Sequence, residues 1–346
     1  MASDVTPPRL PRRGVTISDV ARHAGVAPST VSYALSGKRT VSEPVRRRIE
    51  RTIEELGYRP HAGARALASR RSQILALMMP LRTGVYVPIL MEFAAAIVTE
   101  ARSHDHDVLL LTGESGSAGL QRVAAGAMAD AVVLMDVEED DTRVPTLREL
   151  GRPAVLLGLP DDRQGLVCCD LDWEAAGRLA VASLAELGHR RIGLIGQPTA
   201  VHERHTGFAR RFTDGLHDEG ARRGVHTAQR PGEATFGELR AALDALAAEL
   251  DGLTALVVHN EAIVPLVLEE LSSRGVEVPG QLSVVCVAPQ TMAAASRLTG
   301  VSIPVEDIGR RAVQLVMQQL DAADVAPVTL LPPRLVDRGS TAPPGR

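Results

Sequence analysis

Apolar positions follow two different rhythms along the 346 residues. In the first sixty they recur at helical spacing: Ile17, Val20, Ala21 and Ala24, then Val31, Ala34 and Leu35, then Val45, Ile49, Ile53 and Leu56. The punctuation fits three short helices. Thr16 can cap the first, with the Asp19 carboxylate three residues on. Gly25 supplies the turn, Val26 plugs the corner, and Pro28 sits in the first turn of the second helix, where its missing N–H costs nothing. The third starts near Ser42 with Pro44 in its first turn and stops at Gly57. Two helices joined by a tight glycine turn, the second standing clear of the first, predict an all-α helix-turn-helix head.

From Ile74 the rhythm changes, and short unbroken apolar runs alternate with helical stretches. Runs at 74–79, 108–111, 131–135 and 154–157 read as buried parallel strands, and those at 192–195, 255–258 and 283–287 as a second set. Helical patterning at 88–102, 175–187, 206–219, 237–249 and 262–274 fills the intervals. Such alternation predicts doubly wound parallel sheets with ligands near the carboxyl ends of the strands. Two sets of strands predict two lobes with a cleft between them.

Charge divides at the same place. Residues 1–71 carry 14 Lys and Arg against 6 Asp and Glu, whereas the remaining 275 carry 24 against 36. A basic head on an acidic body is the electrostatic footprint of a nucleic-acid reader joined to a separate domain. Aromatics make up only 2%, which argues against stacking platforms for single strands, while the helix-turn-helix points to the major groove of double-stranded DNA. The Pro- and Arg-rich residues 1–14 read as a disordered arm, with no apolar stretch to serve as a signal peptide. No run approaches the roughly 18 apolar residues of a spanning helix, so no membrane partner is expected. Three cysteines, two of them adjacent (Cys168 and Cys169), make no disulfide framework and fit a cytoplasmic, nucleoid-associated protein.

The run V-T-I-S-D-V-A-R-H-A-G-V-A-P-S-T-V-S-Y-A-L-S-G at 15–37, followed by L-G-Y-R-P at 56–60 and A-R-A-L at 64–67, resembles the head and hinge of the LacI/GalR family of bacterial transcriptional regulators. The body is similar to that family's periplasmic-binding-protein-like core at 184–196, 203–208, 257–262, 274–285 and 335–344. The resemblance implies a head at 15–60, a hinge helix at 61–72, a two-lobed effector and dimerisation domain at 73–340, and a tail at 341–346. It implies that Thr16, Ser29, Thr30, Ser32 and Tyr33 face DNA, that Leu67 wedges into a minor-groove step, and that Arg65, with Arg70 and Arg71, meets phosphate. Pro28 and Tyr33 depart from the best-known members, so an operator sequence does not transfer.

For the cleft, the resemblance implies an effector contact at Arg204, whose planar fork suits hydroxyls or a carboxylate. It also implies contacts at Asn260, Asp172 and Tyr86. Two departures bear on the ligand. After Ser283-Val-Val the family continues to a sugar-gripping Asp, where this chain has Ala288 and Pro289; Trp173 stands where Asn or Asp is common. Each lost charged hydrogen bond removes roughly 1.5–3 kcal/mol, so polyols cannot bind in the same way.

Other motifs carry less. His104-Asp-His106-Asp reads as a solvated loop rather than a metal site, and His202-Glu-Arg-His205 has its second histidine one residue too early for the zincin pattern. No G-x-S-x-G, Walker or G-x-G-x-x-G motif is present, and no catalytic group or cofactor is expected. The expected function is a dimeric regulator, a repressor, that binds a pseudo-palindromic duplex operator and answers to a small-molecule effector, a sugar or related metabolite. The rival readings are a small-molecule binding protein with a vestigial head, and an α/β enzyme.

Overall fold

The computed structural model describes residues 15–36, 40–58, 71–113, 116–125 and 128–345. The arm at 1–14 and the hinge residues Arg65 and Leu67 lie outside the described residues. The chain divides into two compact units, Met1–Gln73 and Ile74–Arg346.

The first unit holds three helices, α1 (Ile17–Ala24), α2 (Pro28–Ser36) and α3 (Glu43–Leu56). Thr16 and Asp19 form the reciprocal capping box: the Thr16 N–H donates to Asp19 Oδ2 at 2.9 Å, and the Asp19 N–H to Thr16 Oγ1 at 3.4 Å. Gly25 turns the chain at φ 61°, where a side chain would be strained, and the Val26 N–H closes the turn onto the Ala21 carbonyl at 3.0 Å. Val20, Ala21, Ala24, Val31 and Ile49 fill a small core together with Tyr58, a residue the periodicity did not count. Gly57 ends α3 in the left-handed region and turns Tyr58 inward.

The second unit is built on two six-stranded sheets. One runs β11-β5-β4-β3-β1-β2, formed by β1 (Ile74–Met78), β2 (Asp107–Leu111), β3 (Ala131–Leu134), β4 (Ala154–Leu157), β5 (Val167–Leu171) and β11 (Val328–Leu331). All of its pairings are parallel. The other runs β12-β10-β9-β8-β6-β7, formed by β6 (Arg191–Ile195), β7 (His226–Arg230), β8 (Ala255–Val258), β9 (Ser283–Ala288), β10 (Thr299–Ser302) and β12 (Arg334–Val336). It is parallel except for the edge pair β10–β12. The seven strands expected from apolar runs are all present. The five others, β5, β7, β10, β11 and β12, have polar residues within the run, such as Asp170 in β5 and most of His226–Arg230 in β7.

The chain passes between the sheets three times, after β5, after β10 and after β11. Each lobe is therefore completed by segments distant in sequence. Helix Val305–Leu320 returns to the first lobe and packs on helix Val87–Ser103. Helices Trp173–Glu186 and Gly207–Arg223 cross closely because glycines stand at the contact: a Cβ on Gly177 would lie 2.1 Å from the Phe212 carbonyl oxygen, and one on Gly215 2.1 Å from that of Glu174. The tail is pinned by His189, fully buried, whose Nε2 lies 2.9 Å from the Ala342 carbonyl and 3.0 Å from Ser283 Oγ.

Candidate functional site

On α2, Val31 and Ala34 turn into the head's core, while Ser29 is exposed and Thr30, Ser32 and Tyr33 are half-buried. One apolar edge thus holds the helix to its neighbours and leaves a hydroxyl-bearing edge outside the core. Thr16 is occupied locally, its hydroxyl donating to Asp19 Oδ2 at 2.7 Å, yet it stays half-exposed beside the amino end of α1.

In the second unit, a cavity of about 120 Å³ opens where the carboxyl ends of both sheets meet. That is an order of magnitude above the roughly 10–15 Å³ that one water requires. The walls come from residues just past strand ends: Gly84, Val85 and Tyr86 after β1, Met135 to Val137 after β3, Gly158 after β4, Gln197 and Val201 after β6, Glu261 after β8 and Ile303 after β10. Helix residues Ile89, Leu90, Phe93, Trp173, Phe208 and Ile308 complete an apolar lining. The lobes touch around it. The Glu139 N–H donates to the His205 carbonyl at 2.9 Å, and Arg210 pairs with Glu139.

Three carboxyl groups face this apolar space. Asp136 is paired with Arg82 at 3.3 Å, and its carbonyl accepts from the buried Arg143 at 2.6 Å, which fixes the loop after β3. Asp170 Oδ1 accepts from the Trp173 indole N–H at 2.9 Å and from the Leu171 N–H at 2.8 Å. Its Oδ2 is buried without a hydrogen bond, 3.7 Å from the Arg211 guanidinium. Burial raises the Asp170 carboxyl to about 6, against the pull of Trp173 and Arg211. Burial raises Glu261 further, to about 7, with help from Glu92, although Gln197 bonds the carboxylate. Behind the wall, His259 packs on Phe212 at 4.0 Å and on Trp173 at 5.4 Å, both ring nitrogens unbonded, and burial lowers its pKa to about 3. It is a neutral aromatic filler.

Of the four residues expected at the effector, Tyr86 lies in the wall. Arg204 lies outside it and donates to the Thr83 carbonyl at 2.9 Å, while its Nε and Nη2 are occluded and unbonded. Asn260 is buried with its amide committed, Oδ1 accepting from the Ala262 N–H at 3.0 Å and Nδ2 donating to the Gly232 carbonyl at 2.6 Å. Asp172 caps helix Trp173–Glu186 by accepting from the Ala175 N–H at 2.9 Å. Sequence reasoning missed Asp170, Glu261, Gln197 and Asp136. The signal for Glu261 was its place directly after Asn260, and that for Asp170 was a lone acid inside an apolar strand. Ala288, in the position without an acid, is buried in the second lobe's core rather than in the cavity wall. Cys168, Cys169 and Cys286 are buried, and burial pushes their thiols up to about 11, 12 and 12. Among the described residues, no three His, Cys, Asp or Glu side chains gather to hold a metal ion.

Residues 16–61 match the model of bacterial regulatory proteins of the lacI family, and residues 181–341 match a periplasmic binding protein-like domain. The HTH-type transcriptional regulator CelR of Thermobifida fusca is 30% identical over 339 residues, which cover 92% of this chain and 96% of that one. The chain belongs to the lacI family of bacterial regulatory proteins. A solved structure of a transcriptional regulator CelR–cellobiose complex superposes with a TM-score of 0.67 at 26% identity, over 94% of this chain and 99% of that one. The lac repressor dimer bound to operator and the anti-inducer ONPF shares the fold, with a TM-score of 0.81 at 24% identity, over 95% of this chain and 100% of that one. This lacI-family chain is accordingly a DNA-binding transcriptional regulator. Among the described residues, no helix is long and apolar enough to cross a membrane.

Proposed function

We propose that this regulator acts in the cytoplasm as a homodimeric repressor on a pseudo-palindromic duplex operator, and that a small molecule in the inter-lobe cavity sets its affinity for DNA. The observation that carries the reading is the joining of two parts in one chain: a capped three-helix head whose α2 keeps its hydroxyl edge outside the core, and a largely apolar cavity at the strand ends of a two-lobed body. Ser29, Thr30 and Thr16 would hold phosphate, and Ser32 and Tyr33 would reach base edges. Residues 61–72 would form the hinge, with Leu67 as minor-groove wedge and Arg65 on phosphate.

The dimer reading is supported by an apolar stripe on the first lobe. Val87, Met91 and Val98 share one face of helix Val87–Ser103 and are 44%, 41% and 37% exposed, with Leu81 and Leu110 also exposed in the same lobe. Exposed apolar positions in phase on one helix are expected where a second copy covers them. In the cleft, Tyr86 would touch the effector, Arg204 would act on it through the loop it holds at Thr83, and Asn260 and Asp172 would hold the loop and helix that carry Glu261 and Trp173. Because each lobe supplies part of the wall, occupancy would favour one lobe angle by its differential affinity.

The test is selection from a random duplex pool at near-physiological salt, with Tyr33→Ala in parallel. The full chain should enrich a two-fold-symmetric site, and the variant should relax preference at one base pair per half-site by roughly 1–3 kcal/mol. Salt-sensitive binding without enrichment would refute specific recognition.

A further inference from the structure

The cavity wall is unsuited to a polyol and hostile to an anion. No Lys, Arg or His lines it, whereas Asp136, Asp170 and Glu261 do. Few side-chain donors face the space: the Trp173 indole N–H is already given to Asp170 and the Gln197 amide bonds Glu261, which leaves the Tyr86 hydroxyl. A sugar needs donors and acceptors around its whole ring, and a phosphate or carboxylate needs cations. Four aromatic side chains, Tyr86, Phe93, Trp173 and Phe208, supply ring surface instead. Aromatic faces with nearby carboxylates attract a cation on an apolar body.

We propose that the cavity binds an organic ammonium ligand with an apolar or aromatic body, its charged nitrogen placed at Glu261 and Asp170 and its body among the aromatic rings. This deepens the effector-site reading and rests on it. Asp170 Oδ2 is buried and accepts no hydrogen bond, its nearest cation being the Arg211 guanidinium at 3.7 Å. Asp136 is already neutralised by Arg82. Burial lets Glu261 keep its proton to about pH 7 and Asp170 to about pH 6. Facing Glu261 are Gln197 and Glu92; facing Asp170 are Trp173, Arg211 and Asp172. A bound cation favours their ionised forms, so its binding expels protons and strengthens as pH rises through 6 to 7.

Trp173 is the chain's single tryptophan and lies in the wall, so its fluorescence reports occupancy directly. The probes are phenethylamine, 2-phenylethanol and phenylacetate, which share a body and differ in charge, and cellobiose. Phenethylamine should bind at least tenfold more tightly than phenylacetate, with 2-phenylethanol between them, and its affinity should rise about tenfold from pH 5.5 to 8. The Glu261→Gln and Asp170→Asn variants should each lose most of that preference and flatten the pH profile, with retained helical circular dichroism as the folding control. Tighter binding of phenylacetate or cellobiose, or affinity that rises as pH falls, would overturn the ligand class. If phenethylamine perturbs Trp173 but leaves affinity for the selected duplex unchanged, the ligand class stands and the effector-site reading falls. If cellobiose alone moves both, the reverse holds.

Discussion

Two buried acids illustrate how a binding site is held at the expense of the fold. Asp170 and Glu261 keep their protons to about pH 6 and 7 in the folded chain because of burial, but lose them near pH 4 when unfolded. The folded state therefore binds more protons across this interval, and stability falls as pH rises from about 4 to about 7, then levels. Each acid contributes up to about 3 kcal/mol to that fall. Buried His259 works the other way, costing stability as pH falls below about 6.5, so the comparison that isolates an acid is between variants. Melting followed by circular dichroism should show Glu261→Gln gaining stability relative to the wild type as pH rises from about 5 to about 7.5, and a difference that does not change across this range would contradict the account. None of this was legible from spacing. A carboxylate inside a strand or just past its end looks like any other acid until the opposite lobe closes over it. Trp173 stood out as an oddity and Asp170 as a lone acid inside an apolar strand, but nothing local says that the two pair.

At the scale of elements, helix and strand positions followed from local periodicity wherever an apolar run or stripe was continuous. The capping box at Thr16 and Asp19 and the turn at Gly25 were readable because their chemistry is local. Strands β7, β11 and β12 were not, since edge strands such as Val328–Leu331 bury little and carry no continuous apolar signal. Nor was the close helix crossing, which depends on two glycines distant in sequence, Gly177 facing the Phe212 carbonyl and Gly215 that of Glu174. Gly177→Ala and Gly215→Ala should each destabilise the second unit by about 1–3 kcal/mol or more, because backbone must move to admit a methyl group. Gly237→Ala, where a Cβ meets nothing within 4 Å, should be nearly neutral. Denaturant midpoints compare the three, and equal midpoints would remove the crossing from the account.

For the whole molecule, the split between a basic head and an acidic body was visible in charge alone, and the two sheets in the alternation of runs. The three passes between lobes were not, because a β–α–β rhythm reads the same whether the next strand joins its own sheet or the other one. The proposed dimer belongs to this scale. Met91→Asp combined with Val98→Asp changes only exposed positions, so the fold should persist while the sedimenting mass halves and affinity for a symmetric site drops at least tenfold. An unchanged mass would move the interface elsewhere.

The central claim is that occupancy of the cavity and binding of DNA are coupled, and coupling between two sites is reciprocal. The most direct measurement is a titration of the Trp173 signal with a cavity ligand, performed on the free chain and again with saturating operator duplex. The account predicts ligand affinities that differ by about 5- to 150-fold between the two, the range expected for a coupling of 1–3 kcal/mol. Equal affinities with and without DNA would contradict it.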